Sequence, residues 1–205
     1  MKERPILFND QMVRAILEGR KTATRRIAKP VKHPDLGNIY APDALVLERE
    51  PQHVIDRACP YGQPGDRLWV REAWQGPLIS DEEQAANQSC WKDMTKFQNP
   101  GHCAYRASGD DNEYVDPDGY FHCKWKPSIH MPRWASRILL EITAVRVERL
   151  QDISDPGALA EGVSHSEMHS GDSLVDVFAR LWGSTGGDWA ANPWVWCIEF
   201  KRVTP

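Results

Sequence analysis

Arg137-Ile-Leu-Leu-Glu-Ile-Thr-Ala-Val-Arg-Val-Glu-Arg-Leu150 is the stretch on which the fold turns. Ile138, Leu140, Ile142 and Ala144 share one face, and the apolar phase then moves by one place to Val145 and Val147. Alternation at period two marks a strand with one buried face. The one-place slip predicts a β-bulge, a device common where a sheet curls into a barrel.

The same signals extend outward from this strand. Toward the C-terminus, Ser154-Asp-Pro156 starts a helix, with a capping side chain followed by proline in the first turn, and Gly162 stops it. Leu174, Val177, Phe178 and Leu181 mark a second helix, closed by Gly183. Pro193 to Lys201 is the last strand, with Trp194, Trp196, Ile198 and Phe200 facing one way and Val195, Cys197, Glu199 and Lys201 the other. Toward the N-terminus, the turn Gln63-Pro-Gly-Asp66 leads into the strand Arg67-Leu-Trp-Val-Arg-Glu-Ala-Trp74. Pro5 to Phe8 reads as a short strand. Asn9 or Asp10 caps a helix whose apolar face is Met12, Val13, Ile16 and Leu17, and Gly19 ends it. Residues 30–65 and 76–124 read as two long insertions, the first with little regular structure of its own. The expected fold is α+β: a small mixed β-barrel with flanking helices and two long insertions, built as a single domain over 1–205.

The composition excludes several function classes. The chain has 205 residues and a net charge of −4, so no global basic field draws it to nucleic acid, and any RNA binding must rest on a local patch. No apolar run approaches the roughly 20 residues of a membrane span, and no signal-peptide core is visible. No membrane partner is therefore expected. The five cysteines form no regular framework, which fits a cytoplasmic location. The nine tryptophans are mostly core fillers on residue type alone, although aromatic rings can also stack on bases.

Chemistry concentrates in Gly19-Arg-Lys-Thr-Ala-Thr-Arg-Arg26. Lys21 and Thr24 together can form an amine-activated hydroxyl nucleophile. Lys21 serves as the base only if burial and neighbouring cations bring its pKa well below the ordinary lysine value. Arg20, Arg25 and Arg26 supply those cations and can bind phosphate or steady an oxyanion. The competing reading is a solvated basic face with ordinary strand threonines. One geometric demand is clear: in a regular strand, positions 21 and 24 point to opposite faces, so their cooperation needs irregular backbone. Glu161 sits in the last turn of its helix, beside carbonyls that disfavour a carboxylate, a placement suited to a general acid. Its alternative is an ordinary surface helix residue.

Other constellations are weaker. Glu72 is a second carboxylate candidate, with a strand-end salt bridge to an arginine as its alternative. His130, Arg133 and Trp134 precede the long strand and could line a substrate pocket, or form a structural aromatic corner. Gly101-His-Cys103 and Phe121-His-Cys123, with Cys59 and Cys90, raise the question of zinc at His102 and His122. These are His-Cys neighbours and not cysteine pairs spaced by two, so no metal or cofactor is expected.

The helix with Gly19-Arg-Lys-Thr-Ala-Thr-Arg-Arg26, the Pro-Gly-Asp66 turn before Leu-Trp-Val70, Ala160-Glu-Gly162 and Val195-Trp-Cys-Ile-Glu-Phe200 together resemble the ASCH family of the PUA-like superfamily. The similarity covers about half the chain, in the family's order. Trp125-Lys-Pro-Ser-Ile-His-Met-Pro-Arg-Trp134 is similar to larger phage-associated or metagenomic members. Both insertions depart from the minimal forms. The superfamily implies recognition of RNA or a modified base. One branch hydrolyses the N4-acyl amide of acetylated cytidine, and its reacting residues match Lys21, Thr24 and Glu161.

Two functions follow from this. The first is an amidohydrolase for N4-acylated cytidine-type nucleosides, with Thr24 as nucleophile, Lys21 as base and Glu161 as acid. The second is a noncatalytic or nuclease-like RNA-binding module. The acidic net charge favours a small modified nucleoside as partner, with RNA as the second candidate.

Overall fold

A computed structural model describes residues 1–86, 93–115, 118–122 and 124–204. In chain order the described elements begin with β1 (Glu3–Leu7), α1 (Asp10–Leu17), β2 (Ala23–Ile27), β3 (Val31–Lys32), β4 (Ile39–Tyr40), α2 (Ala44–Leu47), α3 (Gln52–Ala58) and β5 (Arg67–Arg71). They continue with β6 (Trp74–Gln75), α4 (Asp81–Ala86), β7 (Ala104–Tyr105), β8 (Tyr114–Val115), β9 (Phe121–His122), β10 (Leu139–Arg149), α5 (Asp155–Ala160), α6 (Leu174–Ser184) and β11 (Trp194–Val203).

The main sheet has five strands in the order β1-β5-β10-β11-β2, so β1 and β2 are its two edges and do not pair with each other. The α+β class holds, but the expected β-barrel does not form. The sheet is open. Pro5 gives one physical reason: it stands inside β1 and has no N–H to donate, which suits a strand with one unpaired side. Closure would have required both sides of every strand to pair.

The phase slip in the long strand is visible in its burial. Leu140 and Ile142 are buried, Thr143 is exposed, Ala144 is half-buried, and Val145 and Val147 resume the buried face. The final strand pairs antiparallel with β2, Val195 opposite Ile27 and Ile198 opposite Thr24. Both faces of β11 are covered from Val195 to Ile198, so its sequence reads as a near-continuous apolar run.

Local signals account for the helices that flank the site. The Ser154 hydroxyl accepts the Gly157 N–H at the start of α5, and Gly162 adopts φ +95° just past its end. Ser173 and Asp176 form a capping box at the start of α6, which runs through Gly183 to Ser184 instead of closing at the glycine. Residues 30–65 hold more regular structure than their composition suggested, namely the β3–β4 pair and helices α2 and α3. The strand expected from Arg67 to Trp74 divides, with β5 ending at Arg71 and Trp74 pairing with Tyr105 of β7.

Contacts group the chain into two compact units. The first comprises Met1–Arg4, Ala15–Leu68 and Leu140–Val203. Its α5–α6 region buries Leu150, Ile153, Leu174, Val177, Phe178, Trp182 and Val195 together. The second comprises Pro5–Arg14 and Trp69–Leu139 with the C-terminal tail. There Trp74, Tyr105, Met131 and Ala135 form a buried cluster.

Candidate active site

Within the first unit, the chain leaves α1 through Gly19, at φ +76°, and the amides of Arg20 and Lys21 both donate to the Ala15 carbonyl. Residues 20–22 are neither helix nor strand, since β2 begins only at Ala23. The strand-parity objection to Lys21 and Thr24 therefore does not apply, because Lys21 lies before the strand. The Thr22 amide donates to the Ala160 carbonyl at 2.8 Å, and the Thr22 carbonyl accepts from Phe200 at 2.8 Å. These bonds tie the segment to the last turn of α5 and to β11. Gly162 completes the approach: a Cβ there would lie 2.9 Å from the Ala15 Cβ and 3.0 Å from the Lys21 Cβ. Only glycine combines that contact with positive φ at low cost.

The result is a buried ion pair between residues 140 positions apart in sequence. Lys21 Nζ donates to Glu161 Oε2 at 2.6 Å, to the Glu161 carbonyl at 2.9 Å and to the Ala23 carbonyl at 2.8 Å. Three oxygens thus surround a group with three protons. Lys21 and Glu161 are only 2% and 3% exposed. Burial presses the Lys21 pKa below its ordinary value; Glu161 opposes that shift, while Arg26 and Arg25 add to it. Glu161 is thus a buried ion-pair partner and not an ordinary surface helix residue.

Arg25 extends the cluster. Its Nη1 reaches Glu161 Oε1 at 3.2 Å, and its Nε and Nη2 hold Glu148 Oε1 at 2.8 and 2.7 Å. The guanidinium lies over the Phe178 ring, 5.9 Å from its centroid. Arg146 Nε takes the other Glu148 oxygen at 2.7 Å and Nη1 bonds Glu199. Arg26 is half-buried, and burial lowers its pKa against the opposing pull of Tyr61 and Glu161. Arg20 faces outward, with Nε on Glu18 at 2.7 Å and Nη1 on the Gly162 carbonyl at 2.5 Å. Thr24 lies one step inside β2 and is 1% exposed.

The remaining candidates fall in the second unit. Glu72 is 1% exposed and paired with Arg137 through two parallel bonds, Nε to Oε1 and Nη2 to Oε2, each 2.9 Å. Burial raises the Glu72 pKa, and the Arg137 contact pulls the other way. Arg137 also lies over the Tyr105 ring at 3.9 Å and bonds Ser108 at 2.6 Å. That is the ion-pair alternative for Glu72, with a buried carboxylate in place of a strand-end one. His130 and Arg133 are exposed. Trp134 packs edge-on against Trp74, centroids 5.5 Å apart at 87°, which is an aromatic corner.

Cys59, Cys103 and Cys197 are free thiols, and burial pushes the Cys59 pKa up to about 11. His102 bonds Glu83 at 2.9 Å, while His122 stacks on Tyr114 at 4.8 Å. Cys90 and Cys123 lie outside the described residues. Among the described residues, no group of three or more His, Cys, Asp or Glu side chains is placed to hold a metal ion. No described helix is long and apolar enough to cross a membrane.

Arg137, Glu148 and Arg146 were not singled out from sequence. Glu148 and Arg146 alternate with Val145 and Val147, which puts both on the half-buried face of β10. That parity was legible, but Arg25, the partner of Glu148, lies 123 residues away from it.

No family model matches the chain, and no curated protein matches it. Among solved structures, the chain is similar to an ASCH domain from Lactobacillus crispatus, with 16% identity and a TM-score of 0.38, covering 100% of this chain and 81% of that one. It is also similar to protein EF3133 from Enterococcus faecalis, of the DUF984 family, with 12% identity and a TM-score of 0.35, covering 93% of this chain and 66% of that one. Both likenesses are distant, and the side-chain geometry carries the functional reading.

Proposed function

We propose that the protein is an amidohydrolase that removes the acyl group from N4 of N4-acylated cytidine-type nucleosides. The buried 2.6 Å contact between Lys21 Nζ and Glu161 Oε2 is the observation that carries this reading. Two opposite charges taken out of water each lose several kcal/mol of solvation, which their attraction repays only in part. Proton transfer along the contact gives a neutral amine and a neutral carboxylic acid. These are the base and the acid that amide cleavage needs.

The reaction then balances in two stages. The Lys21 amine takes the Thr24 hydroxyl proton as Oγ1 attacks the acyl carbon, with the Arg26 guanidinium as the cation assigned to steady the developing oxyanion. The C–N4 bond breaks as Glu161 protonates the departing N4, leaving an acyl ester on Thr24. Water then attacks the ester, Glu161 takes its proton, and Lys21 returns a proton to Thr24. The free acid leaves and the starting protonation states are restored.

The RNA-module reading draws less support. Lys21 and Arg25 are buried and matched to carboxylates, whereas phosphate binding needs cations that water and polyanion can reach. The test is conversion of N4-acetylcytidine to cytidine by the purified protein, followed by absorbance. Turnover supports the hydrolase. Absence of turnover on any N4-acylcytidine, together with salt-dependent RNA binding, would establish the module instead.

A further inference from the structure

We propose that Glu148 is a positioning residue for the Lys21–Glu161 pair, acting through Arg25; the inference rests on the catalytic reading above. Three observations support it. Glu148 Oε1 engages two nitrogens of Arg25, Nε at 2.8 Å and Nη2 at 2.7 Å, which leaves only Nη1 directed at Glu161, and at the longer distance of 3.2 Å. Arg146 fixes Glu148 from the other side through Oε2 at 2.7 Å, and Glu199 in turn holds Arg146. The series also runs from interior to surface: side-chain exposure rises from 2% at Arg25 through 17% at Glu148 to 41% at Arg146.

The two oxygens of Glu161 consequently have different partners, Oε1 with Arg25 and Oε2 with Lys21. Only Oε2 lies on the proton-transfer line. Without Glu148, Arg25 is free to turn a second nitrogen onto Glu161. That geometry competes with Lys21 for Oε2. It also leaves one more uncompensated positive charge near Lys21. Lys21 faces Glu161 from the end of α5, and Arg25 and Arg26 from β2. Behind Arg25 stand Glu148 and Arg146 of β10, with Glu199 and the buried Cys197 of β11. Glu148 is the anion that offsets Arg25 on the side away from the pair.

The deciding experiment titrates the Lys21 side chain by NMR in wild type and in Glu148→Gln, which keeps an acceptor oxygen but removes the charge. The midpoint should fall by about one pH unit. On N4-acetylcytidine, kcat should drop about tenfold or more with KM little changed. The NMR readout needs no turnover. If N4-acylcytidines are not substrates, the catalytic reading fails while the Lys21 midpoint still decides the role of Glu148. Glu148→Asp keeps the charge and shortens the reach; it should move the midpoint less, in the same direction, and serves if Glu148→Gln does not fold. An unmoved Lys21 midpoint in a folded variant overturns the proposal, and so does a moved midpoint with wild-type kcat.

Discussion

Lys21 and Glu161 meet at 2.6 Å because three unrelated local features bring them together. Gly19 ends one helix, Gly162 ends another, and the Thr22 amide joins the two ends through the Ala160 carbonyl. The pair is buried, so its chemistry and its contribution to stability are coupled, and variants at these positions should report on both.

Thr24→Ala should abolish turnover on N4-acetylcytidine, a loss of about a thousandfold or more, since nucleophile and base act as one unit. The side chain is 1% exposed and the change removes one small group, so the stability cost should be about 1 kcal/mol. Parallel absorbance assays and thermal unfolding check both halves. Wild-type turnover in a folded Thr24→Ala would end the threonine mechanism.

Removing one partner of the buried pair strands the other. Lys21→Met and Glu161→Gln should each cost about 3 kcal/mol. The double variant should cost less than the sum by about 1–3 kcal/mol, because it leaves neither charge behind. Denaturant unfolding of all four proteins measures this, and additive losses would mean the contact does not couple the two side chains.

The pH dependence has a definite sign. Lys21 has a folded-state pKa below its ordinary value of 10.5. Between those two values the unfolded chain binds more protons than the folded one, so the Lys21 contribution to stability rises with pH across that window. Below the folded pKa the full penalty of burying the ammonium is present. The stability of wild type relative to Lys21→Met should therefore increase from pH 8 toward 10.5. A decrease over that range would contradict the assignment.

Gly162→Ala places a methyl group against Lys21 and Ala15 at a residue with φ +95°. It should cost about 2 kcal/mol and also lower kcat, by moving Lys21 off Glu161. Calorimetry with the activity assay separates it from Gly65→Ala, at φ +88° with nothing within 4 Å of its Cβ, which should cost stability alone.

Glu72→Gln should behave differently from Glu161→Gln. Its two bonds to Arg137 make it part of the framework of the second unit. Stability at neutral pH should fall by about 3 kcal/mol while kcat stays close to wild type. A Glu72→Gln protein that folds well but does not turn over would give Glu72 a direct part in the chemistry.

Much of the local structure was determined by sequence alone, because the interactions that set it span three or four residues. Ser154 with Pro156 begins α5, Gly162 ends it, and the shift from Ile142 to Val145 in β10 is read directly from side-chain period. Pro5 carried a further signal, an unpaired strand edge, that the barrel expectation overlooked. Whether the sheet closes depends on β1 and β2 meeting, and no local preference specifies that. Only the tertiary structure decided which charges share a partner. Arg25 could equally have been a solvated phosphate ligand, and it became a buried link between Glu148 and Glu161 because β2 lies beside β11 with the end of α5 packed nearby. The physical reason is range: caps and periodicities act over one turn or one strand, whereas a buried ion pair forms only where the folded chain removes water from residues more than a hundred positions apart.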